Sequence, residues 1–558
     1  MANFCILHFA FCNFDLLFGP ASLGAPNQGA VSLSRSSGCT IPILDVSPDV
    51  TGSPRDGGTW MLSLKVIAKS LSGYRRIPTL TSLAAILVIG GVVCRGAGEG
   101  KPAPAAASGI LEATQHRGSL IGLQYESFFT PHNVGGYETA EAIPILGKYS
   151  SYDVGVIRKH EEWFEDLGID WLLLDWSNML WSHPEWERHQ GSTGEIEATT
   201  ALLFQTYHQL EMEGKHPPKL VIMLGLENGK TIPNGARRLN AIIAWVKANF
   251  LDKPEYRDLW LYYSGKPLLT ILYNVNLTCP EISTRTRGIA APDWTVRWMG
   301  SQLQDTHVEN CGFWSWMDGT IRQLATRRAG EFEETVVTPS CFPIPHGWLD
   351  PRATGRDHGT PYLESWEVAF ETHPRFIQIH QWNEFEGQTE GQGFGPAHDV
   401  YGDEYNLEFS DDLEPTRMDQ CAYRGCGGWV YYYMNLTKAI LSLYRQTTPD
   451  ITVLALSAPF QPVVKEKQLH LRWKTLGKNP KSYTLELDGQ VVAGKMTGNS
   501  YTLSLSTIPP GKHHLRLTAE GVHTYFDLSP SQLTTRSRQP LPVTSEIDFT
   551  YSPAPAQK

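Results

Sequence analysis

The chain has 558 residues, 41% of them apolar, and a formal net charge of −11 at neutral pH. That apolar content excludes a disordered chain, the length exceeds one ordinary domain, and the acidic balance disfavours a nucleic-acid partner, which needs a basic stripe. The 17 Trp and 22 Tyr combine large apolar area with a polar handle, which suits sugar-binding clefts and packed cores alike.

Residues 1–60 sustain no helical or strand period and read as a disordered extension or an over-extended gene start. From Met61 a basic stretch with Lys65, Lys69, Arg75 and Arg76 precedes the apolar run IPTLTSLAAILVIGGVV. Small residues and prolines follow. This order predicts a secretory signal over 61–97 and a linker over 98–118. The protein is then secreted or periplasmic, and a retained membrane anchor is the alternative reading.

From residue 119 short apolar runs alternate with amphipathic segments. Strands are predicted at 120–126, 171–176, 220–226, 267–273, 295–300, 312–317, 334–339 and 376–382. Helices are predicted at 154–168, 195–214, 236–250 and 365–374 from their apolar spacing. Continuous apolar strands flanked by helices indicate a parallel sheet covered on both faces. Eight such units fit an α/β fold of the TIM (β/α)8 barrel type over 119–447, with a doubly wound open sheet as the runner-up. Residues 451–530 then turn to short alternating strands with Gly and Pro turns, an all-β sandwich similar to a fibronectin-III module. Residues 531–558 read as a flexible tail.

Nearly every strand candidate ends in residues that want water or a ligand. Strand one gives Tyr125 and Glu126, strand two Asp175, Trp176 and Asn178, and strand three Glu227 and Asn228. Strand six gives Trp316, and the last strand gives His380, Trp382, Asn383, Glu384 and Glu386. Barrels deliver these ends to one mouth, where their sites sit. Glu384 and Glu386, two apart, share one face of an extended chain at roughly 6.6 Å along it. A carboxylate pair with pKa values pushed apart is what glycosidic cleavage needs. Trp382 offers an apolar platform and Asn383 a partner for a sugar hydroxyl.

The stretch WNEFEG after an apolar strand, with Tyr125 on strand one and an Asp-Trp end on strand two, resembles the family-99 glycoside hydrolases, the endo-α-mannosidases and their bacterial relatives. The resemblance implies a TIM barrel whose last strand carries a Trp-Asn-Glu-Trp-x-Glu-Gly motif. It implies that Glu384 and the second glutamate serve as general base and general acid/base, that attack comes from the substrate's own 2-hydroxyl with retention, and that no metal takes part. Here the spacing is two rather than three, so Glu386 matches the second glutamate only with one residue deleted, and Glu390 is the other candidate. A non-hydrolytic glycan-binding pseudoenzyme or polysaccharide-assembly protein is the alternative.

The remaining features predict little chemistry. The acidic stretch with Asp403, Glu404, Glu408, Asp411, Asp412 and Glu414 reads as a solvated loop without the ligand spacing of a calcium site. Of the cysteines after the signal, Cys279, Cys311, Cys341, Cys421 and Cys426 form no obvious framework, although Cys421 and Cys426 can close a small loop. No cofactor or metal is expected. The expected partner is a carbohydrate substrate, and a membrane only if the N-terminal segment is retained.

Overall fold

The computed structural model describes residues 45–50, 62–67, 110–129, 137, 140–177, 195–228, 234–274, 277–300, 311–317, 319–343, 348, 350–385, 406–422, 425–458 and 463–553. Two compact units divide the chain at 104/105. In the first, the strands Asp45–Val50 and Leu62–Ile67 pair antiparallel; the former falls in the stretch read as periodless, where Pro48 interrupts the alternation, and the latter at the start of the stretch read as a secretory signal. The apolar run at 77–93, read as an export segment, lies outside the described residues. Among the described residues no helix is long and apolar enough to cross a membrane.

In the second unit eight strands run parallel in one sheet: β1 Leu120–Tyr125, β2 Trp171–Trp176, β3 Lys219–Asn228, β4 Lys266–Asn274, β5 Thr295–Gly300, β6 Trp314–Ser315, β7 Glu331–Val337 and β8 Phe376–Ile379. The sheet order is β6-β5-β4-β3-β2-β1-β8-β7, so strands consecutive in sequence are neighbours except β6 and β7, and β8 lies beside β1. No ladder joins β6 to β7 among the described residues. Side chains of β7 reach across instead: Glu334 Oε2 accepts the Ser315 N–H at 3.0 Å and Glu333 Oε2 the Trp314 indole N–H at 2.8 Å. The predicted eighth strand ends early, at Ile379, and the predicted sixth shrinks to Trp314–Ser315. The expected linker also differs, since Leu111–Glu112 pairs with Leu261–Tyr263 and Glu112 accepts the N–H groups of Ser264 and Gly265.

The helices are α1 Val154–Leu167, α2 Ile196–Met212, α3 Gly235–Val246, α4 Cys279–Arg285, α5 Thr360–Thr372 and α6 Tyr432–Tyr444. Helix α1 shows why the sequence folds so. Asp153 caps it by accepting the Gly155 N–H at 2.8 Å, worth about 1 kcal/mol, and Gly168 closes it in a left-handed conformation. Between them Val156, Ile157, Trp163, Phe164 and Leu167 fall on one buried face.

Strand side chains alternate between two cores. Ile121, Leu123, Leu172, Leu174, Ile222, Leu224, Ile377 and Ile379 pack with the helices. Leu120, Trp171, Leu173, Val221, Met223, Leu268, Met299, Trp314 and Phe376 form a separate inner cluster. Gly122 sits on that inner face because a Cβ there would lie 2.1 Å from the Trp171 ring.

After α6 come β9 Thr452–Ser457, β10 Val463–Val464, β11 Gln468–Gly477, β12 Ser482–Leu487, β13 Gln490–Met496, β14 Ser500–Ser504, β15 Gly511–Thr524 and β16 Leu541–Tyr551. They form a three-stranded and a five-stranded sheet around a shared core. Two expectations change here. Strand β16, read as part of a flexible tail, pairs along β15 from Leu541 to Tyr551 because Val543, Ile547, Phe549 and Tyr551 alternate into that core. The segment is also not set apart from the first sheet: Ile451, Val453, Ala455, Leu476 and Phe526 belong to the core of the parallel sheet and its helices. Among the described residues two disulfides form, Cys421–Cys426 as the spacing allowed and Cys279–Cys311, which the sequence did not reveal. Cys341 is buried and takes no part in a disulfide.

Candidate active site

Toward the C-terminal ends of β1, β2 and β8 the inner face turns polar. Below, it carries Leu120, Trp171 and Phe376; above, Gln124, Asp175 and Gln378 take their places on alternate positions, all nearly or fully buried. Gln124 is the hub. The Trp316 indole N–H, a donor only, meets Gln124 Oε1 at 2.7 Å, which fixes the amide orientation. Gln124 Nε2 is thereby aimed at three acceptors: Asp175 Oδ2 at 2.9 Å, Gln381 Oε1 at 3.0 Å and Glu126 Oε1 at 3.2 Å. Gln381 Nε2 in turn donates to Glu384 Oε2. His380 Nδ1 lies 2.7 Å from Gln124 Oε1 and must carry a proton, since that oxygen only accepts. Its Nε2 lies 3.0 Å from Asp411 Oδ2, as an ion contact rather than an aligned hydrogen bond.

Three carboxyl groups thus converge through two amides. Glu126 is 4% exposed and Asp175 7%, whereas Glu384 is half-buried. Burial raises the Glu126 carboxyl well above its ordinary range, and the charges of Asp175 and Glu384 raise it further. Burial raises Asp175 as well, but the Ser177 N–H on its Oδ1 at 2.6 Å and the nearby His380 oppose the rise. Of the two, Glu126 is therefore raised the more strongly and Asp175 is the more strongly opposed. Gly225 makes room for this geometry: a Cβ there would lie 1.6 Å from the Ser177 carbonyl oxygen.

On β1 and β2 the structure divides the predicted site residues by strand parity. Glu126, Asp175, Trp316, His380 and Glu384 belong to the cluster. Tyr125 and Trp176 do not; one position away along their strands, they face the helices, and so does Trp382 beyond the end of β8. Tyr125 Oη bonds His160 Nδ1 on α1 at 3.1 Å, and the Trp176 indole donates to Thr200 on α2 at 3.0 Å. Trp382 is fully buried, edge-on to Phe164 at 4.9 Å. Asn383 acts on the backbone: its Oδ1 accepts the Glu126 N–H at 2.9 Å and its Nδ2 donates to the Glu126 carbonyl at 3.0 Å. Asn178, Glu386 and Glu390 lie outside the described residues, as do the side chains of Glu227 and Asn228.

No family model matches the chain, and neither does any curated protein. Among solved structures it is similar to the GH99 endo-alpha-mannosidase from Bacteroides thetaiotaomicron, at 16% identity over 58% of this chain and 97% of that one, with a TM-score of 0.39. It is similar also to the endo-beta-1,4-mannanase from Thermotoga petrophila, at 10% identity over 79% of this chain and all of that one, with a TM-score of 0.36.

The acidic stretch is not solvated where it is described. Asp411, Asp412 and Glu414 are fully buried, because residues 411–414 run beside the end of β8. The Gln381 N–H donates to the Asp411 carbonyl at 3.1 Å, and the Leu413 N–H to the Gln381 carbonyl at 3.0 Å. Glu414 accepts the Tyr149 hydroxyl at 2.6 Å and lies 3.2 Å from His160 Nε2. Among the described residues no acidic, His or Cys group could hold a metal ion. A cavity of about 400 Å³ lies elsewhere, lined by Arg356, Glu408, Trp429, Tyr432, Asp527 and Glu546 among others, and none of the three converging carboxyls reaches it. Sequence reading missed Gln124 and Gln381, which bear no charge to draw notice; the one available signal was the inner-face parity of Gln124 with Leu120, and Gln381, beyond the end of β8, carried none.

Proposed function

We propose that this protein is an exported glycoside hydrolase whose reaction centre is the inner-face carboxyl cluster, the eight parallel strands closing as a (β/α)8 barrel. The observation that carries this reading is the convergence of Glu126, Asp175 and Glu384 through Gln124 and Gln381. Glycosidic cleavage passes through a state with positive charge at the anomeric carbon, and a buried floor of fixed negative charge stabilises it without reorganisation. Asp175 and Glu384 supply that charge. Glu384, the most accessible of the three, is the group that meets substrate as base, in keeping with the WNEFEG resemblance. Glu386 is its proposed acid partner. Trp316, half-buried and edge-on to His380 at 4.9 Å, offers a ring face for a sugar. Two disulfides favour an oxidising compartment, and the sheets after residue 451 form a fibronectin-III-like module.

The test is release of reducing ends from a panel of glycans by residues 105–558. Glu384→Gln is expected to lower turnover at least about a hundredfold. Near-unaltered turnover in that variant, with a folded chain, would sink the assignment. The shortened glutamate spacing favours a second reading, a glycan-binding protein without turnover, which predicts binding on the panel and no release.

A further inference from the structure

Strand β8 stops at Ile379; the His380, Gln381 and Trp382 N–H groups still meet backbone carbonyls of Val337, Asp411 and Gln124, and the Glu384 and Phe385 N–H groups lie past them. The turn carrying Glu384 is nevertheless held. Asp412 Oδ1 accepts the Glu384 N–H at 2.5 Å, and Asp412 Oδ2 accepts the Phe385 N–H at 3.1 Å. Phe385 itself has φ 47, a left-handed conformation that a bulky residue keeps only when its surroundings over-determine it. Two anchors from a single carboxylate do that here.

Asp412 is in turn fixed from behind. It is fully buried. Arg356 Nη2 donates to the Asp412 carbonyl at 2.7 Å and to Ser410 Oγ at 2.8 Å, and Ser410 Oγ donates to Glu141 Oε1 at 2.9 Å. The Arg356 guanidinium stacks 3.8 Å from the Trp429 ring, which lies nearly parallel to Phe385. Glu141 Oε2 receives no donor from the protein, and burial and the neighbouring Asp412 raise its carboxyl well above the ordinary range. An apolar pocket alone would leave two backbone N–H groups unpaired next to the site, at a cost comparable to a lost hydrogen bond each.

We propose that Asp412 is the positioning residue of the reaction centre: its carboxylate fixes the Glu384–Phe385 turn, and so fixes where the Glu384 carboxylate stands over Asp175 and Glu126. Asp412 touches no substrate. Its consequence for turnover rests on the glycoside hydrolase reading, whereas its hold on the turn does not. Glu141 completes the device as the protonated partner, so the two carboxyls are not interchangeable. An amide in place of Glu141 can still donate to Asp412. An amide in place of Asp412 turns an N–H2 against a backbone N–H.

The experiment compares Asp412→Asn, Glu141→Gln and the milder Ser410→Ala in the full chain, with folding checked by thermal unfolding. Hydrogen exchange of the Glu384 and Phe385 amides reads the positioning with no substrate present. Exchange is expected to quicken at least about tenfold in Asp412→Asn, by less in Ser410→Ala, and to stay within about threefold in Glu141→Gln. On a hydrolysed glycan, Asp412→Asn is expected to lose at least about tenfold in kcat with KM little changed, since misplacement of a reacting group acts on the transition state. Unaltered exchange in Asp412→Asn, or equal effects of Asp412→Asn and Glu141→Gln, overturns the proposal. Should Asp412→Asn fail to fold, Ser410→Ala decides: no change in exchange at Glu384 and Phe385 overturns it. Quickened exchange with no glycan turned over by the unaltered chain leaves the positioning intact and removes the hydrolase reading instead.

Discussion

Two buried carboxyl pairs flank Glu384, and they use one chemistry for two ends. In each, burial and a neighbouring charge raise one member, Glu126 or Glu141, well above its ordinary range. The other member, Asp175 or Asp412, receives backbone N–H groups. Asp175 takes the N–H of Ser177, in its own strand end, and meets Glu384 through side-chain amides. Asp412 takes the N–H of Glu384 itself. The first pair therefore sets the charge beneath the Glu384 carboxylate, and the second sets its place. Their neighbours differ accordingly: His380 is near enough to hold Asp175 down, while Arg356 is bonded to the backbone of Asp412.

That difference can be broken in several ways. The largest effect is expected within the first pair. Asp175→Asn removes the floor charge and should lower kcat at least about a hundredfold, in the range of lost transition-state stabilisers. Glu126→Gln keeps a donor toward Asp175 and should cost at least about tenfold less than Asp175→Asn. Equal losses in kcat would show that the proton is not localised on Glu126. Next comes Gly225→Ala, which drives a methyl group into the Ser177 carbonyl and so disturbs the first pair alone. It should destabilise the fold by about 1–3 kcal/mol, as overpacking does, and chemical denaturation measures it.

A smaller effect separates the pairs by pH. Burial raises Asp412 to about 6, Glu408 to about 7 and Glu197 to about 8. Carboxyls raised in the folded state bind more protons there than in the unfolded chain, so their contribution is present at low pH and is lost as pH rises through those values. The midpoint of thermal unfolding should therefore fall between about pH 5 and pH 8, and Asp412→Asn should remove the part of that fall that ends near 6. A midpoint rising over this window would contradict the assignment. The smallest effect belongs to Tyr125→Phe, which touches neither pair. It removes one buried hydrogen bond to His160 and should cost about 1 kcal/mol, read as a shift in unfolding with kcat unmoved.

Much of the scaffold is legible because its signals are local. Alternating apolar runs placed β2 and β5 with their observed bounds, and the spacing of Val156, Ile157, Trp163 and Phe164 placed α1. The carboxyl cluster is legible at Glu126, Asp175, Trp316, His380 and Glu384, where polar residues end apolar strands. The sequence misleads at Tyr125 and Trp176, because a strand end was read as a group, although successive side chains leave on opposite faces, and at Trp382, which lies beyond the last residue of β8. Asp412 and Glu414 were hidden by composition: a run of acids looks solvated, and only the tertiary fold shows it beside β8. The Cys279–Cys311 bridge was hidden for the same reason, its partners being 32 residues apart with no spacing rule to join them.

The most direct test of the account is a crystal structure of Glu384→Gln with a bound oligosaccharide from the glycan panel. A glycosidic bond lying over residue 384, with a sugar ring against Trp316 and the inner-face carboxyls of Asp175 and Glu126 beneath it, is the predicted result. A glycan seated instead in the cavity lined by Glu408, Trp429 and Tyr432, with residue 384 out of hydrogen-bond reach, would contradict it.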